Sequence, residues 1–463
     1  MALRRTFDAQ QAAHARAPMP DRAVRVRRLA ALEDLVRGHL DALADAIRSD
    51  FGHRSVHETR LLEGFPSLEA LRDARRHVGR WMRPERRATS LWFLPGRSEV
   101  RFQPLGVVGI IVPWNYPLYL AAGPLAGALA AGNRAMVKLS EFTPAFADLF
   151  ARLVGERFAE DELAVVTGDA TVAAAFSALP FDHLLFTGST AVGRRVMEAA
   201  SAHLTPVTLE LGGKSPAIVA PSGDLERAAE RIAVGKLMNA GQTCIAPDYA
   251  LVPRRDVDAF VAGFGRTVAR CYPSMAVTPD YTAIVNARQF DRLCAYVDEA
   301  RAAGVRVTTL GGFEPDPATR RFPPTLLIDP PPGIAAMRDE IFGPILPVVP
   351  YDGLDDAIAH VNARPRPLAL YVFARDGAET DAVLDRTTAG GVTVNDVILH
   401  IAQDDLPFGG VGPSGMGRYH GRDGFETFSN RKAVFRQPRL NGMGLFRPPY
   451  GARFDALVRW LLK

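Results

Sequence analysis

The chain has 463 residues, 48% hydrophobic and 23% charged, with a net charge of +4; that is enough for two or three packed domains around a large core. Its basic residues are scattered among acids, and the densest group, 80–87, is interrupted by Trp81, Met82, Pro84 and Glu85, which excludes the long basic stripe of a nucleic-acid-binding surface. Three irregularly spaced cysteines make neither a disulfide framework nor a zinc site, so the expectation is a reducing, cytoplasmic setting and no bound metal.

The N-terminal part to about residue 80 reads as helices, because Val26, Leu29, Ala30, Leu32, Leu35 and Val36 recur at helical spacing with charged residues between them. Residues 1–8 carry no apolar signal core. Pro84 and Pro95-Gly96 punctuate the next stretch, and Glu99-Val100-Arg101-Phe102 alternates like an exposed strand. Residues 105–133 have no charge, yet Pro113-Trp114-Asn115-Tyr116-Pro117 would break a membrane-spanning helix. A buried strand over 107–112, a loop, and a buried helix over 118–131 stopping at Gly132-Asn133 are predicted instead. Strands at 135–138, 163–167 and 183–186 continue an alternating α/β pattern, the mark of a parallel sheet. A second α/β pattern begins at Lys214, with strands near 217–219 and 249–252, and runs to about Thr393. In the tail, Phe454, Leu457, Val458 and Leu461 share one helical face, able to dock on the protein itself or to lie on a membrane surface.

Several residues could carry chemistry. Cys244, in Gly241-Gln242-Thr243-Cys244, is a thiol with small and polar neighbours before it, and Glu210, between Leu209 and Leu211, is a carboxylate costly to bury without a task. Together they make a possible nucleophile and general base. Asn115, held between prolines, could donate to an oxyanion. Phe186-Thr187-Gly188-Ser189-Thr190-Ala191-Val192-Gly193 follows a strand and opens a helix, a place for a phosphate, although it lacks the usual dinucleotide fingerprint. Lys138 and Glu141, after another strand, could bind ribose hydroxyls. Each also has an ordinary reading: a buried inert thiol, a strand-end acid, a turn asparagine, a capped turn, a surface ion pair. Cys294 sits on an apolar helical face, Phe290-Leu293-Val297, and reads as core.

The motifs in order, Pro-Trp-Asn, Lys-x-Ser-Glu, Phe-Thr-Gly-Ser-x-x-x-Gly, Glu-Leu-Gly-Gly-Lys-Ser-Pro, Gly-Gln-Thr-Cys, Glu-Ile-Phe-Gly-Pro and Leu-Pro-Phe-Gly-Gly, resemble the NAD(P)-dependent aldehyde dehydrogenase superfamily over residues 23–430. Within it, Cys244-Ile245-Ala246-Pro247-Asp248-Tyr249 and the run 407–421 look like the class 3 type, and 82–120 with 175–183 are especially similar to bacterial coniferyl aldehyde dehydrogenases. The resemblance implies an α/β fold: a Rossmann-like NAD-binding domain from 1–83 and 105–211, a catalytic domain over 212–393, small β bridging segments for oligomerisation at 84–104 and 394–432, and a tail over 433–463. It implies Cys244 as nucleophile, Glu210 as general base, and Asn115 with the Cys244 backbone amide as oxyanion donors. Lys138 and Glu141 would bind the adenosine ribose, Gly188, Ser189 and Gly193 the pyrophosphate, and Glu340 and Phe342 the nicotinamide side, with Trp114 and Leu211 also at the cofactor. Leu139 departs from the proline of many members. Glu141 would favour NAD over NADP, both remaining open. Tyr116, Tyr119 and Met238 would line an aromatic-tolerant pocket or simply pack. The implied reaction is oxidation of an aldehyde, coniferaldehyde or a longer aliphatic one, in a cytoplasmic homodimer with no nucleic acid and no membrane partner.

Overall fold

The uncharged run 105–133 shows how the core is built. In the computed structural model, which describes residues 2–463, Val107–Ile111 is a strand buried along its whole length. Tyr119–Ala131 is a helix with every residue buried. A helix that is apolar all round has no solvent face to offer, so it must be enclosed. The helices Arg22–Gly38 and Phe65–Trp81 pack against it on one side. Gly132 ends it with φ at 92°, donating to the carbonyls of Ala128 and Leu129, a conformation glycine adopts without a Cβ penalty.

Two large sheets follow. The first has six strands in the order Gly415–Met416, Val207–Leu211, His183–Gly188, Val107–Ile111, Arg134–Lys138 and Leu163–Val166, parallel except for the first. The four strands expected between residues 107 and 186 are all present. The second has seven, in the order Arg306–Thr309, Thr325–Ile328, Ile345–Tyr351, Tyr249–Pro253, Pro216–Val219, Ala369–Phe373 and Gly391–Val394, with only the first pair antiparallel. The inner strands Val107–Ile111, Tyr249–Pro253 and Ala369–Phe373 are apolar and buried along their whole length because both faces are covered, as parallel sheets require. The chain passes from one sheet to the other through Gly212-Gly213-Lys214-Ser215. This is an α/β fold.

A third, antiparallel sheet joins Glu85–Arg87, Arg97–Pro104 and Ser429–Arg436. The strand predicted at Glu99–Phe102 lies within it, and its third strand runs on beyond residue 432 to Arg436. In the tail, Ala452–Leu461 is helical, and Phe454, Leu457, Val458 and Leu461 form its half-buried face. Trp460 of this helix meets Trp92 edge-on with centroids 5.2 Å apart. Among the described residues, no helix is long and apolar enough to cross a membrane.

Candidate active site

The carboxyl ends of parallel strands place loops side by side, and three such ends meet here. The strand Val107–Ile111 leads into the Pro-Trp-Asn-Tyr-Pro loop. The strand His183–Gly188 leads into Ser189, whose hydroxyl accepts from Val192 N and caps the helix Thr190–Ser201. The strand Val207–Leu211 carries Glu210 in register with Thr187 on one side and Gly415 on the other. A cavity of about 320 Å³ opens between them and the second sheet, lined by Trp114, Asn115, Thr187, Gly188, Ser189, Glu210, Leu211, Cys244, Glu340 and Phe342, among others.

Cys244 reaches this cleft from the second sheet's side. The helix Leu225–Leu237 ends in a turn where Asn239, Ala240 and Gly241 all take positive φ, at 50°, 51° and 75°. Strain of this kind collects at functional sites. At Gly241 a Cβ would fall 2.3 Å from the Gly343 carbonyl oxygen, so only glycine fits. Gln242 then anchors the loop: its amide nitrogen donates to the carbonyls of Asn239 and Ala283, each at 3.0 Å, and its amide oxygen accepts from Val285 N at 2.9 Å. On the far side the Tyr371 hydroxyl donates to the Ile245 carbonyl. Asn115 is buried, and its Nδ2 donates to the Gln242 carbonyl at 3.3 Å.

The electrostatics are unusual for a protein interior. Glu210 is buried with neither carboxylate oxygen hydrogen-bonded. Burial drives its pKa well above the usual carboxylate range, opposed by Arg418. Burial pushes the Cys244 thiol up to about 12, and Glu340 and then Glu210 add to the rise. Glu340 is itself pushed up to about 8 by burial, with Asp248 contributing.

The cleft suits a dinucleotide. The amides at the start of a 12-residue helix face it. The Thr187 hydroxyl and Glu340 Oε1 in its wall are buried without partners. A Cβ on Gly212 would fall 2.0 Å from Glu340 Oε2, and one on Gly193 2.7 Å from Leu211, so side chains there would fill the cradle. Trp114 and Phe342 meet edge-on at 5.4 Å, and Phe342 takes φ 48° to do so.

The structure thus gathers Cys244, Glu210, Asn115, Trp114, Gly188, Ser189, Leu211, Glu340 and Phe342 around one space, with Gly193 in the first turn of the helix behind it. Lys138 and Glu141 lie at the next strand end, outside its lining. The Lys138 ammonium, buried, donates to the carbonyls of Leu139 and Gly168 at 2.6 and 2.8 Å, and Glu141 is exposed. Tyr116, Tyr119 and Met238 are also outside this lining. The Tyr116 hydroxyl lies 2.7 Å from the hydroxyl of Thr243, Tyr119 shares a hydrogen bond with His420 Nε2 at 3.1 Å, and Met238 is half-buried in the turn before the thiol loop. Cys294 packs half-buried against the core, and Cys271 is exposed.

Sequence reasoning missed Gln289, Arg292 and Tyr296, which complete the cleft from the helix Ala287–Ala302. Arg292 donates to the Ile341 carbonyl at 2.8 Å and so shapes the Glu340–Phe342 turn. Their signal was the spacing i, i+3, i+7, each position one residue before the apolar face noted around Cys294 and so beside it on the helix.

Comparison with known proteins finds relatives over nearly the whole chain. A "Probable coniferyl aldehyde dehydrogenase" of Pseudomonas aeruginosa is 54% identical over 98% of this chain and 95% of its own. The "Coniferyl aldehyde dehydrogenase" of a Pseudomonas species is 47% identical over the same shares, 98% and 95%. A substrate-bound state of Staphylococcus aureus AldH superposes with a TM-score of 0.94 at 37% identity, covering 99% of both chains. The pattern of the aldehyde dehydrogenase family matches residues 2–434, and the chain belongs to that family.

Proposed function

We propose that the protein oxidises coniferaldehyde to ferulate, with NAD as the favoured hydride acceptor and NADP as a second one. The observation that carries the chemistry is the convergence of the Cys244 thiol, the Asn115 amide and the unpartnered Glu210 carboxylate on one cleft. The substrate class rests on the relatives that bear the coniferyl name over nearly the whole chain.

The chain's residues divide the work as follows. Cys244 Sγ, its proton lost to solvent, attacks the aldehyde carbon as the thiolate. The oxyanion is met by Asn115 Nδ2 and the Cys244 backbone amide, dipoles already fixed by the Gln242 anchor. The Asn115 bond to Gln242 is long at 3.3 Å, so exchanging it for an oxyanion costs little. The cofactor, when bound, supplies the hydride acceptor. Gly188, Ser189 and Gly193 would hold its pyrophosphate, Lys138 and Glu141 its adenosine ribose, and Glu340 and Phe342, with Trp114 and Leu211, its nicotinamide side. Glu210 then takes a proton from water, which hydrolyses the Cys244 thioester to the acid. A relative that hands its acyl group to coenzyme A has no need of this carboxylate.

The first sheet with its helices, 1–83 and 105–211, would be the dinucleotide-binding domain, and 212–393 the catalytic domain. The segments 84–104 and 394–432 would bridge two copies in a cytoplasmic homodimer. Leu91, Trp92, Phe93 and Leu94, all 43–74% exposed at the end of the third sheet, support that last assignment.

The test is NADH formation by the purified protein with coniferaldehyde, benzaldehyde, hexanal and dodecanal, compared by kcat/KM, alongside Cys244→Ala. Preference for coniferaldehyde and loss of oxidation in the variant, with NAD still bound, are expected. Preference for dodecanal would move the substrate to the long aliphatic class and put Tyr116, Tyr119 and Met238 among ordinary packing residues. Turnover by Cys244→Ala would overturn the mechanism.

A further inference from the structure

The residues 54–63 were silent in the sequence, yet they form a buried polar frame beneath the active-site loops. Arg54 and Glu63 are both fully buried, with Arg54 Nη2 2.9 Å from Glu63 Oε1, a contact whose alignment makes it an ion pair rather than a hydrogen bond. Arg54 Nη1 donates to the Asn115 carbonyl at 2.7 Å. Glu63 Oε2 accepts from Leu118 N at 2.8 Å and Tyr119 N at 3.3 Å, the free amides at the start of the helix Tyr119–Ala131. One ion pair therefore grips the segment 115–119 at both ends. Glu63 sits in a π-turn, Arg60–Gly64; such turns widen a helix locally and occur often at functional sites.

The frame reaches the thiol loop too. The Arg54 guanidinium lies 5.0 Å from the Tyr116 ring centroid, and the Tyr116 hydroxyl is 2.7 Å from that of Thr243, the neighbour of Cys244. Asn239 Nδ2 donates both to the Asn115 carbonyl at 3.2 Å and to the Gln242 carbonyl at 3.1 Å, while Asn239 N donates to Glu58 Oε2 at 3.1 Å. Two buried charges are an expensive way to hold a loop if stability were the sole gain. A planar fork that must meet a carbonyl and a carboxylate at once is a device for orientation.

We propose that Arg54 and Glu63 are positioning residues for the acylation step: their ion pair fixes the segment 115–119 so that the Asn115 amide faces the carbon attacked by Cys244. This rests on Asn115 being the oxyanion donor. Arg54 does not line the cleft and acts through the segment it holds, Asn115 above all.

The experiment is a double-mutant cycle on the full-length protein, reading the pre-steady-state NADH burst with saturating NAD. Arg54→Lys keeps the charge and Glu63's partner but loses the fork. It is expected to slow the burst by roughly tenfold to a hundredfold, the effect of a small misplacement, with the NADH Kd and aldehyde KM within about twofold. In an Asn115→Ala background the same change should cost no more than about twofold, because the group it positions is gone. The paired variant Arg54→Met with Glu63→Met, which leaves no buried charge orphaned, should reproduce the slow burst if Arg54→Lys does not fold. An unchanged burst in both overturns the proposal, as does a full repeat of the loss in the Asn115→Ala background, which would mark a general structural effect. If Asn115→Ala itself runs at the wild-type rate, the oxyanion reading fails and the positioning proposal falls with it, a result distinct from either of the others.

Discussion

Glu210 and Cys244 share one cleft, and the carboxylate works against the thiolate. Burial is the main reason that the thiol rises to about 12, followed by Glu340 and Glu210. Removing the Glu210 charge therefore lowers the thiol pKa. Glu210→Gln should alkylate faster with iodoacetamide at pH 8 than the wild type does, roughly tenfold for each unit that the pKa falls. It should at the same time lose steady-state turnover by about 10²-fold or more while keeping a burst of NADH, because hydrolysis lacks its base. Slower alkylation in Glu210→Gln would mean that the carboxylate assists ionisation and that the electrostatic account is wrong.

The same carboxylate should cost stability in a pH-dependent way. Its folded pKa is raised, so its contribution is most favourable below the unfolded carboxylate range and is lost as pH rises through the folded value. Neither oxygen has a partner, and an unsatisfied buried group of this kind costs about 1–3 kcal/mol. Glu210→Gln should raise the apparent Tm at pH 8, with a smaller rise at pH 5. Thermal scans at the two values settle it; an equal rise at both would detach the effect from ionisation.

Gly212 tests the cofactor cradle. The Cβ of Gly212→Ala would fall 2.0 Å from Glu340 Oε2, so the carboxylate must move. The NADH Kd, followed by fluorescence, should weaken by tenfold or more, about 1.4 kcal/mol. Unchanged NADH binding would remove Glu340 from the cofactor site.

Much of this was legible in the chain because its signals were local. The strand and helix on either side of Pro113-Trp114-Asn115-Tyr116-Pro117 followed from an uncharged run cut by prolines, and the structure places them at Val107–Ile111 and Tyr119–Ala131. Cys244, Glu210 and Asn115 were legible as types, but their meeting was not: it depends on strand order, which brings Val207–Leu211 next to His183–Gly188. Arg54, Glu58 and Glu63 were invisible for a different reason. In sequence they are ordinary charged helix residues, and nothing short of the packed fold shows two of them fully buried under a loop 61 residues from Arg54. Lys138 was legible as the end of a strand, but not the hydrogen bonds its ammonium makes to the carbonyls of Leu139 and Gly168, the second of them 30 residues away.

The exposed turn at the edge of the third sheet tests the proposed assembly. Leu91 is 74% and Trp92 56% exposed, and Trp460 of the tail helix, which packs on Trp92, is 59% exposed. Aromatic groups left this open in one chain suit burial against a second copy, where such residues dominate interface energetics. Trp92→Glu removes the ring and places a charge that would have to be desolvated in the interface. Sedimentation should show the wild type at twice the monomer mass and the variant shifted to monomer at micromolar concentration. The cleft around Cys244 is lined by residues that lie outside the aromatic turn. The monomeric variant should therefore keep NADH binding within about twofold, with a lower Tm, since a partner that binds only the folded state stabilises it by mass action. A wild type that sediments as a monomer would leave the aromatic turn without its proposed role.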